Sequence, residues 1–299
     1  MIEKDQKQAK ILDIALDSIS RNRVLREVRV KLALFEAKSP IFKPFYIVTP
    51  NPEIVLEAQK DRELALILNS ADFAIPDGIG LAQSNLFLSL PNYSFLPLRF
   101  LALIFGWLKV FFLTLFSKDK LFSGLNVIKG RRLFEDLIFL ANKKKFRVVL
   151  IGDDKQSAQK AAGALKGNYK KVNIFAFSGP RLDREGKPFD DKERLKEKEI
   201  INSINKIRPH LVFVGFGAPK QEKWIWRNKD KLDVGGMMVV GGTFDYVSGR
   251  LKYPPRFLEK AGLEWLWRLL VQPKRLGRIF RAVFVFPVKV SIYKFKKGS

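Results

Sequence analysis

Tyr46-Ile47-Val48-Thr49-Pro50-Asn51-Pro52-Glu53 turns from a strand into a helix within about three residues. Tyr46 to Val48 is a short apolar run of the kind a sheet buries. Asn51 stands where a helix N-cap belongs. Pro52 fills a first-turn position that needs no N–H, and Glu53 suits the positive end of the helix dipole. Thr49 and Asn51 are thereby set at the carboxyl edge of a sheet, where open α/β folds bind their ligands. Taken alone, the stretch is equally a well-capped helix with no further role.

The same punctuation recurs along the chain. Asp72 to Ile75 reads as a strand running into Pro76-Asp77-Gly78-Ile79-Gly80, and Arg147 to Ile151 as one ending in Gly152-Asp153. Val172 to Phe177 ends in Gly179-Pro180, Leu211 to Val214 in Gly215-Phe216-Gly217-Ala218-Pro219-Lys220, and Met237 to Val240 in Gly241-Gly242-Thr243-Phe244-Asp245. Helical patterns lie between them: Pro52 to Leu68 with an interruption near Asp61, Leu133 to Lys143, Ser157 to Leu165 closed by Gly167, and Glu193 to Ile207. Upstream, Ile11 to Leu16 reads as one short strand, and a basic helix capped at Asp17, Ser18 or Ser20 runs towards Ala37. Strands alternating with helices predict an α/β fold, a Rossmann-like parallel sheet with helices on both faces. The glycines and polar residues repeatedly follow strands, so they gather on one edge.

Composition narrows the chemistry. Among 299 residues, 55 are Lys or Arg and 30 are Asp or Glu, a formal charge of +25 that calls for an anionic partner. With no cysteine and His210 as the single histidine, Cys- or His-based metal centres and a Ser-His-Asp triad are disfavoured. Catalysis would rest on carboxylates, hydroxyls, amides and arginines. The charged start Met1-Ile2-Glu3-Lys4-Asp5 does not read as a signal peptide, which predicts a cytoplasmic chain.

Two segments depart from the α/β rhythm. Phe95 to Phe116 is almost wholly apolar, with Arg99, Ala102, Gly106 and Lys109 on one narrow helical face. That pattern suits a helix lying in a membrane interface, and a spanning or a core helix stays open. From Arg250 onwards thirteen basic residues face two acidic ones, interleaved with Trp265, Trp267, Phe280, Phe284 and Phe286. This predicts a basic, aromatic-rich helical appendage, broken near Pro273 and Pro287. The expected organisation is a catalytic body over 1–252 with an apolar membrane-associating insertion at about 86–123, and a membrane-associating appendage over 253–299.

Gly215 to Lys220 lacks the third glycine of a dinucleotide fingerprint, yet a glycine turn feeding a helix still makes a diphosphate cradle. Thr49-Pro50-Asn51-Pro52-Glu53, Pro76-Asp77-Gly78-Ile79-Gly80, Gly215-Phe216-Gly217-Ala218-Pro219-Lys220-Gln221-Glu222-Lys223-Trp224 and Gly241-Gly242-Thr243-Phe244-Asp245 resemble, in order and spacing, the WecG/TagA/CpsF glycosyltransferases, family 26. The likeness continues through Gly249-Arg250, Gly262 to Leu270 and Pro273 to Leu276. It implies a metal-independent, inverting transfer without a cofactor. The sugar, typically of N-acetylmannosamine type, passes from a UDP-sugar to a polyprenyl-diphosphate-linked sugar at the cytoplasmic membrane face.

The resemblance makes Asp77 the base, and Thr49, Asn51 and Gln221 polar groups around the sugar. Arg268, Arg275 and Arg278 become partners of the departing diphosphate. The remaining substrate-binding set is Gly78, Gly152, Gly215, Gly217, Pro219, Lys220, Glu222, Gly241, Gly242, Asp245 and Arg256, with Asp245 also readable as a cap. No metal site is expected. The implied partners are the UDP-sugar, the lipid-linked acceptor and an anionic membrane surface, without nucleic acid; a homo-oligomer stays open. Asn126-Val127-Ile128-Lys129-Gly130-Arg131-Arg132 stands where the family carries an Arg-Val-Thr-Gly-x-Asp-like motif, but without its Asp. UDP-N-acetylmannosaminuronate or UDP-glucose remains open as donor. So does a non-catalytic binder of anionic membrane or nucleic acid.

Overall fold

The computed structural model describes residues 8–153 and 155–297, so the Met1–Asp5 stretch lies outside the described residues. The single strand expected over 11–16 is instead a hairpin of β1 (Gln8–Ile11) and β2 (Ile14–Asp17). Leu12 and Asp13 both adopt left-handed backbone, φ 48° and 64°, which closes a two-residue turn. Ser20 caps α1 (Arg21–Glu36), its Oγ accepting the Arg23 N–H at 3.3 Å.

Next come β3 (Phe45–Val48), α2 (Pro52–Ala58), α3 (Arg62–Asn69) and β4 (Phe73–Ala74). Asn51 Oδ1 accepts the Ile54 N–H at 3.0 Å and Asp61 Oδ1 the Leu64 N–H at 2.9 Å. The interruption near Asp61 is thus an N-cap, a feature whose loss typically costs about 1 kcal/mol. The hairpin covers the edge of β4, where Asp17 Oδ2 accepts the Ala74 N–H at 2.7 Å.

The chain then runs through α4 (Ile79–Ser89), α5 (Leu96–Phe116), α6 (Lys118–Phe122), α7 (Gly130–Lys144), β5 (Arg147–Gly152), α8 (Ser157–Asn168), β6 (Asn173–Ser178), α9 (Asp191–Ile207), β7 (Leu211–Val214), α10 (Lys220–Asn228), β8 (Gly236–Val239) and α11 (Thr243–Val247). Several boundaries differ from the sequence reading by up to three residues, most at α7 and α8. α7 begins three residues before Leu133, and α8 continues through Gly167 to Asn168, ending at Tyr169. The Gly167 backbone is helical because α8 is held by the burial of Ala158, Ala161 and Leu165, which outweighs the roughly 1 kcal/mol cost of an internal glycine.

β3 to β8 form one sheet in the order β4-β3-β8-β7-β5-β6, with every neighbouring pair parallel. Both faces are covered, as all-parallel sheets require. Val48, Ile151, Val212 and Val239 pack towards α2, α3, α4, α9 and α10, whereas Ile47, Leu150, Phe213 and Met238 pack towards α1, α7, α8 and α11. The helices following β3, β4 and β7 therefore leave on one face and those following β5 and β8 on the other. That divergence opens a crevice along the carboxyl edge.

The appendage comprises α12 (Arg256–Ala261), α13 (Glu264–Val271), a 3₁₀ turn at Pro273–Arg275, α14 (Leu276–Phe280), a π-helical turn at Arg281–Val285 and α15 (Phe286–Lys297). Pro273 ends α13, but Pro287 does not break the chain. It sits in the first turn of α15, where a missing N–H costs little, and the π turn before it absorbs the displaced carbonyl bonding. α15 buries Phe286 and Val290 completely in the same core as α4.

Candidate active site

The loops after β3 and β4 stay zipped beyond the sheet. The Ile75 N–H reaches the Val48 carbonyl at 2.9 Å and the Asp77 N–H the Pro50 carbonyl at 2.7 Å, which sets Thr49 and Asp77 side by side. Gly78, at φ 100°, then turns the chain into α4. The start of α7 is drawn in by the Ile128 N–H on the Pro76 carbonyl at 3.0 Å. A Cβ on Gly130 would stand 3.1 Å from Thr49 Oγ1 and 3.3 Å from Asp77 Oδ2, so any larger residue there would crowd both side chains.

Burial pushes the Asp77 carboxyl above its ordinary range, against the opposing pull of Arg268, the Gly130 N–H and Arg131. Desolvation, aided by the nearby Glu264, thus outweighs two cations and a helix N-terminus. The residue nevertheless keeps partial solvent access. A reachable carboxylate with a raised pKa is suited to proton abstraction near neutral pH.

The appendage roofs this edge. Burial works against the Arg268 charge, but Tyr246, Asp77 and Glu264 outweigh it and hold the guanidinium protonated. Arg268 lies 5.8 Å from the centre of the Tyr246 ring. Arg275 reaches the β8 loop, where a Cβ on Gly242 would be 3.8 Å from its Nη2. Burial and then the neighbouring Arg268 and Arg278 push the Arg275 pKa down. Arg275 therefore stands beside a glycine turn under the repulsion of two neighbouring cations, an arrangement that a bound anion would relieve. Arg278 is paired with Glu53, and Arg281 with Glu57 at 3.2 Å.

Lys129 and Arg131 fasten this roof. Lys129 Nζ lies 2.7 Å from Glu259 and 3.0 Å from Glu264, and Arg131 Nη2 lies 3.3 Å from Glu264. The Arg131 guanidinium sits 5.0 Å from the Tyr246 ring and 4.8 Å from that of Tyr253. These half-exposed ion pairs are each worth only about 0.2–1 kcal/mol. Burying Phe286 and Val290, at about 1.5–3 kcal/mol per side chain, does more to hold the appendage down. Lys129, Gly130, Arg131 and Tyr246 are site residues that the sequence reading missed. For Lys129, Gly130 and Arg131 the signal was the position of the 126–132 stretch, whose missing Asp drew attention away from the residues present.

The two glycine turns are tied together from below. Gln221 Oε1 accepts the N–H groups of Gly217 at 3.2 Å and Gly241 at 3.0 Å, while its Nε2 donates to Glu222 Oε1 at 3.0 Å. Gln221 therefore shapes the cradle with the groups it would otherwise offer to a substrate, as Asn51 does in capping α2. Pro219 follows a cis peptide at the start of α10, and Lys220 Nζ donates to the Leu182 carbonyl. A cavity of about 350 Å³ opens there between Asp153, Arg181, Phe189, Phe216 and Lys220, at the ends of β5 and β7.

Asp245 Oδ1 lies 3.3 Å from Arg250 Nη1. Gly152 packs under α8, where a Cβ would stand 2.5 Å from Ser157 Oγ, and Arg256 is exposed at the start of α12. The structure thus joins Thr49, Asp77, Arg268, Arg275 and the Gly242 turn, while Gly152 lies next to the cavity at Asp153.

Glu222 is fully buried, and desolvation raises its carboxyl from 4.5 to about 7. A raised carboxyl stabilises the fold fully below its unfolded pKa, and that contribution is lost as pH rises through the folded value. The shift corresponds to roughly 3 kcal/mol. Glu222→Gln keeps the shape without the ionisation, so it is expected to resist urea better than the wild type at pH 8. The gap should close at pH 4, and denaturation curves at both values read it directly.

His210 precedes β7 and so lies at the opposite, amino edge of the sheet. Its ring stacks on Phe146 at 4.2 Å, and burial lowers its pKa, which marks a neutral core residue. Among the described residues, no group of three His, Asp or Glu side chains is arranged to hold a metal ion.

The family model described as "Glycosyl transferase WecG/TagA/CpsF family" matches residues 9–92 and 115–299. The chain is also similar to curated proteins named N-acetylglucosaminyldiphosphoundecaprenol N-acetyl-beta-D-mannosaminyltransferase. Those of Staphylococcus aureus strains NCTC 8325 / PS 47 and MW2 are each 25% identical over 255 residues, covering 85% of this chain and 83% of the relative.

Proposed function

The chain belongs to the WecG/TagA/CpsF family of glycosyl transferases, and from this we propose that it moves an N-acetylmannosamine-type sugar from UDP onto the N-acetylglucosamine of a polyprenyl-diphosphate acceptor. The relatives' name supplies the transferred sugar and the acceptor. The observation that supports the donor is Arg275 at the Gly242 turn, where the repulsion of the neighbouring Arg268 and Arg278 favours a diphosphate.

In a single displacement the acceptor hydroxyl oxygen attacks the anomeric carbon and gives its proton to the Asp77 carboxylate. The bond to UDP breaks on the opposite side, so configuration inverts. The leaving diphosphate gains charge, which the arginines at the Gly242 turn meet without a metal ion. Thr49, beside Asp77, orients the acceptor. The cavity between Asp153 and Phe216 suits the nucleoside end of the donor. The reaction takes place at the cytoplasmic face of the plasma membrane, where the lipid-linked acceptor resides.

The deciding assay supplies UDP-N-acetylmannosamine and a short-chain lipid-diphosphate-N-acetylglucosamine with EDTA present. Disaccharide-lipid product is expected. Product only from UDP-N-acetylmannosaminuronate or UDP-glucose would change the donor, and product only on restoring a divalent ion would remove the metal-independent mechanism. Absence of both product and UDP binding would overturn the reading.

A further inference from the structure

α5 is 21 residues long and is apolar enough to cross a membrane by length and composition. The family match leaves out residues 93–114, nearly all of it, so the helix belongs to this chain rather than to the shared pattern. Its packing is the reverse of a soluble amphipathic helix. Arg99, Gly106 and Val110 are buried against the protein, while Phe100, Ile104, Phe105, Phe111, Phe112 and Phe116 are 55–77% exposed.

The inner face is engaged over almost the whole length. Arg99 Nη1 donates to the Phe295 carbonyl at 3.2 Å, and Trp107 Nε1 donates to Ser291 Oγ at 2.8 Å. Further along, Gln83 Nε2 donates to Thr114 Oγ1 at 3.0 Å. The Trp107 ring stacks on Phe87 at 4.4 Å, and a Cβ on Gly106 would come within 3.0 Å of that same Phe87 ring. α4 and α15 thus hold α5 along its axis from one end to the other.

A helix so held cannot stand across a bilayer without taking α4 and α15 with it. Those partners make this untenable: Lys289, Lys296 and Lys297 are exposed on α15, and Lys294 is spent on the Phe87 and Leu90 carbonyls at 2.6 Å each. The outer face carries no charge except at its margins, where Lys109, and Lys118 and Lys120 flanking Asp119, join the exposed α15 lysines. An apolar band rimmed by cations matches the boundary between acyl chains and anionic headgroups.

We propose that α5, with the exposed Val288 and Ile292 of α15, lies in the plane of the membrane and enters a single leaflet containing anionic lipid, as a monotopic platform rather than a span. Arg99 and Gly106 of the narrow stripe mark the protein-facing side of α5, Lys109 lies exposed at its border, and the aromatic residues form the lipid-facing side. The platform needs none of the transfer chemistry, so its failure and that of the proposed activity are separable.

The absence of cysteine allows a direct topology test. Ser94→Cys and Asp119→Cys place single thiols at the two ends of α5. With the full chain in bacterial membranes, a membrane-impermeant maleimide should label both sites in inverted vesicles and neither in intact cells. Labelling of the two sites from opposite sides would overturn the proposal in favour of a span. In flotation with purified protein, vesicles containing phosphatidylglycerol should carry the protein and phosphatidylcholine vesicles should not. Phe105→Glu/Phe112→Glu should lower that binding at least tenfold while UDP binding persists. A lipid-free dimer that the double variant dissociates, with no vesicle binding by the wild type, would assign the face to a second copy and overturn the proposal.

Discussion

Asp77→Asn is expected to lower turnover by about 10²–10⁴-fold, the usual contribution of a positioned general base, while UDP affinity is unchanged. The Asn side chain occupies the same space beside Thr49 and Gly130 and keeps an oxygen for the Gly130 N–H. What disappears is the lone pair that receives the acceptor proton. Two pH observations separate this from a general loss of structure. Wild-type turnover should rise with pH as Asp77 ionises, with its midpoint above the ordinary carboxylate range because burial raises that pKa. The Asn variant should lose this limb. The raised pKa also means that the fold favours the protonated carboxyl, a stabilisation present in acid and lost as pH rises through the folded pKa. The variant should therefore be at least as stable as the wild type at pH 8. Near-normal turnover in Asp77→Asn would move the base elsewhere.

Arg268→Met should cost about 10²–10³-fold in kcat, the scale of removing one preorganised group that meets developing negative charge. Methionine retains much of the length that covers Tyr246, so the appendage should remain seated through Phe286 and Val290. A second effect follows from position. Arg268 is the foremost influence favouring ionised Asp77, so without it the carboxyl pKa climbs further and the acidic limb of the rate profile moves to higher pH. A fall in kcat with an unmoved limb would confine Arg268 to the leaving group. Unchanged kcat would show that the appendage stands outside the reaction.

The strand-to-helix turn at 48–53 was legible because every cue is local: a buried strand, a side-chain cap, a proline at the first turn. The place of Asp77 after a strand and before a glycine turn was legible for the same reason, whereas its role as base was implied by the family resemblance alone. The functional reading of Gln221 was less so. A sequence shows an amide near a glycine turn, but only the folded chain shows that its carbonyl is consumed by Gly217 and Gly241. Lys129 to Arg131 escaped notice because their partners, Glu259 and Glu264, lie more than a hundred residues away in the chain. The narrow face of α5 was found by periodicity, whereas its direction was not, because a helical wheel carries no information about which side meets the protein.

By itself the sequence determined the α/β class, the edge on which glycines and polar residues collect, and the basic character of the appendage. These follow from hydrophobic period, capping chemistry and net charge, all written in neighbouring residues. Tertiary structure alone decided the order β4-β3-β8-β7-β5-β6, the descent of Arg268 and Arg275 onto the same edge as Asp77, and the outward turn of the α5 aromatics. Each of those depends on desolvation and contact between segments distant in the chain, which exist only once the core has closed.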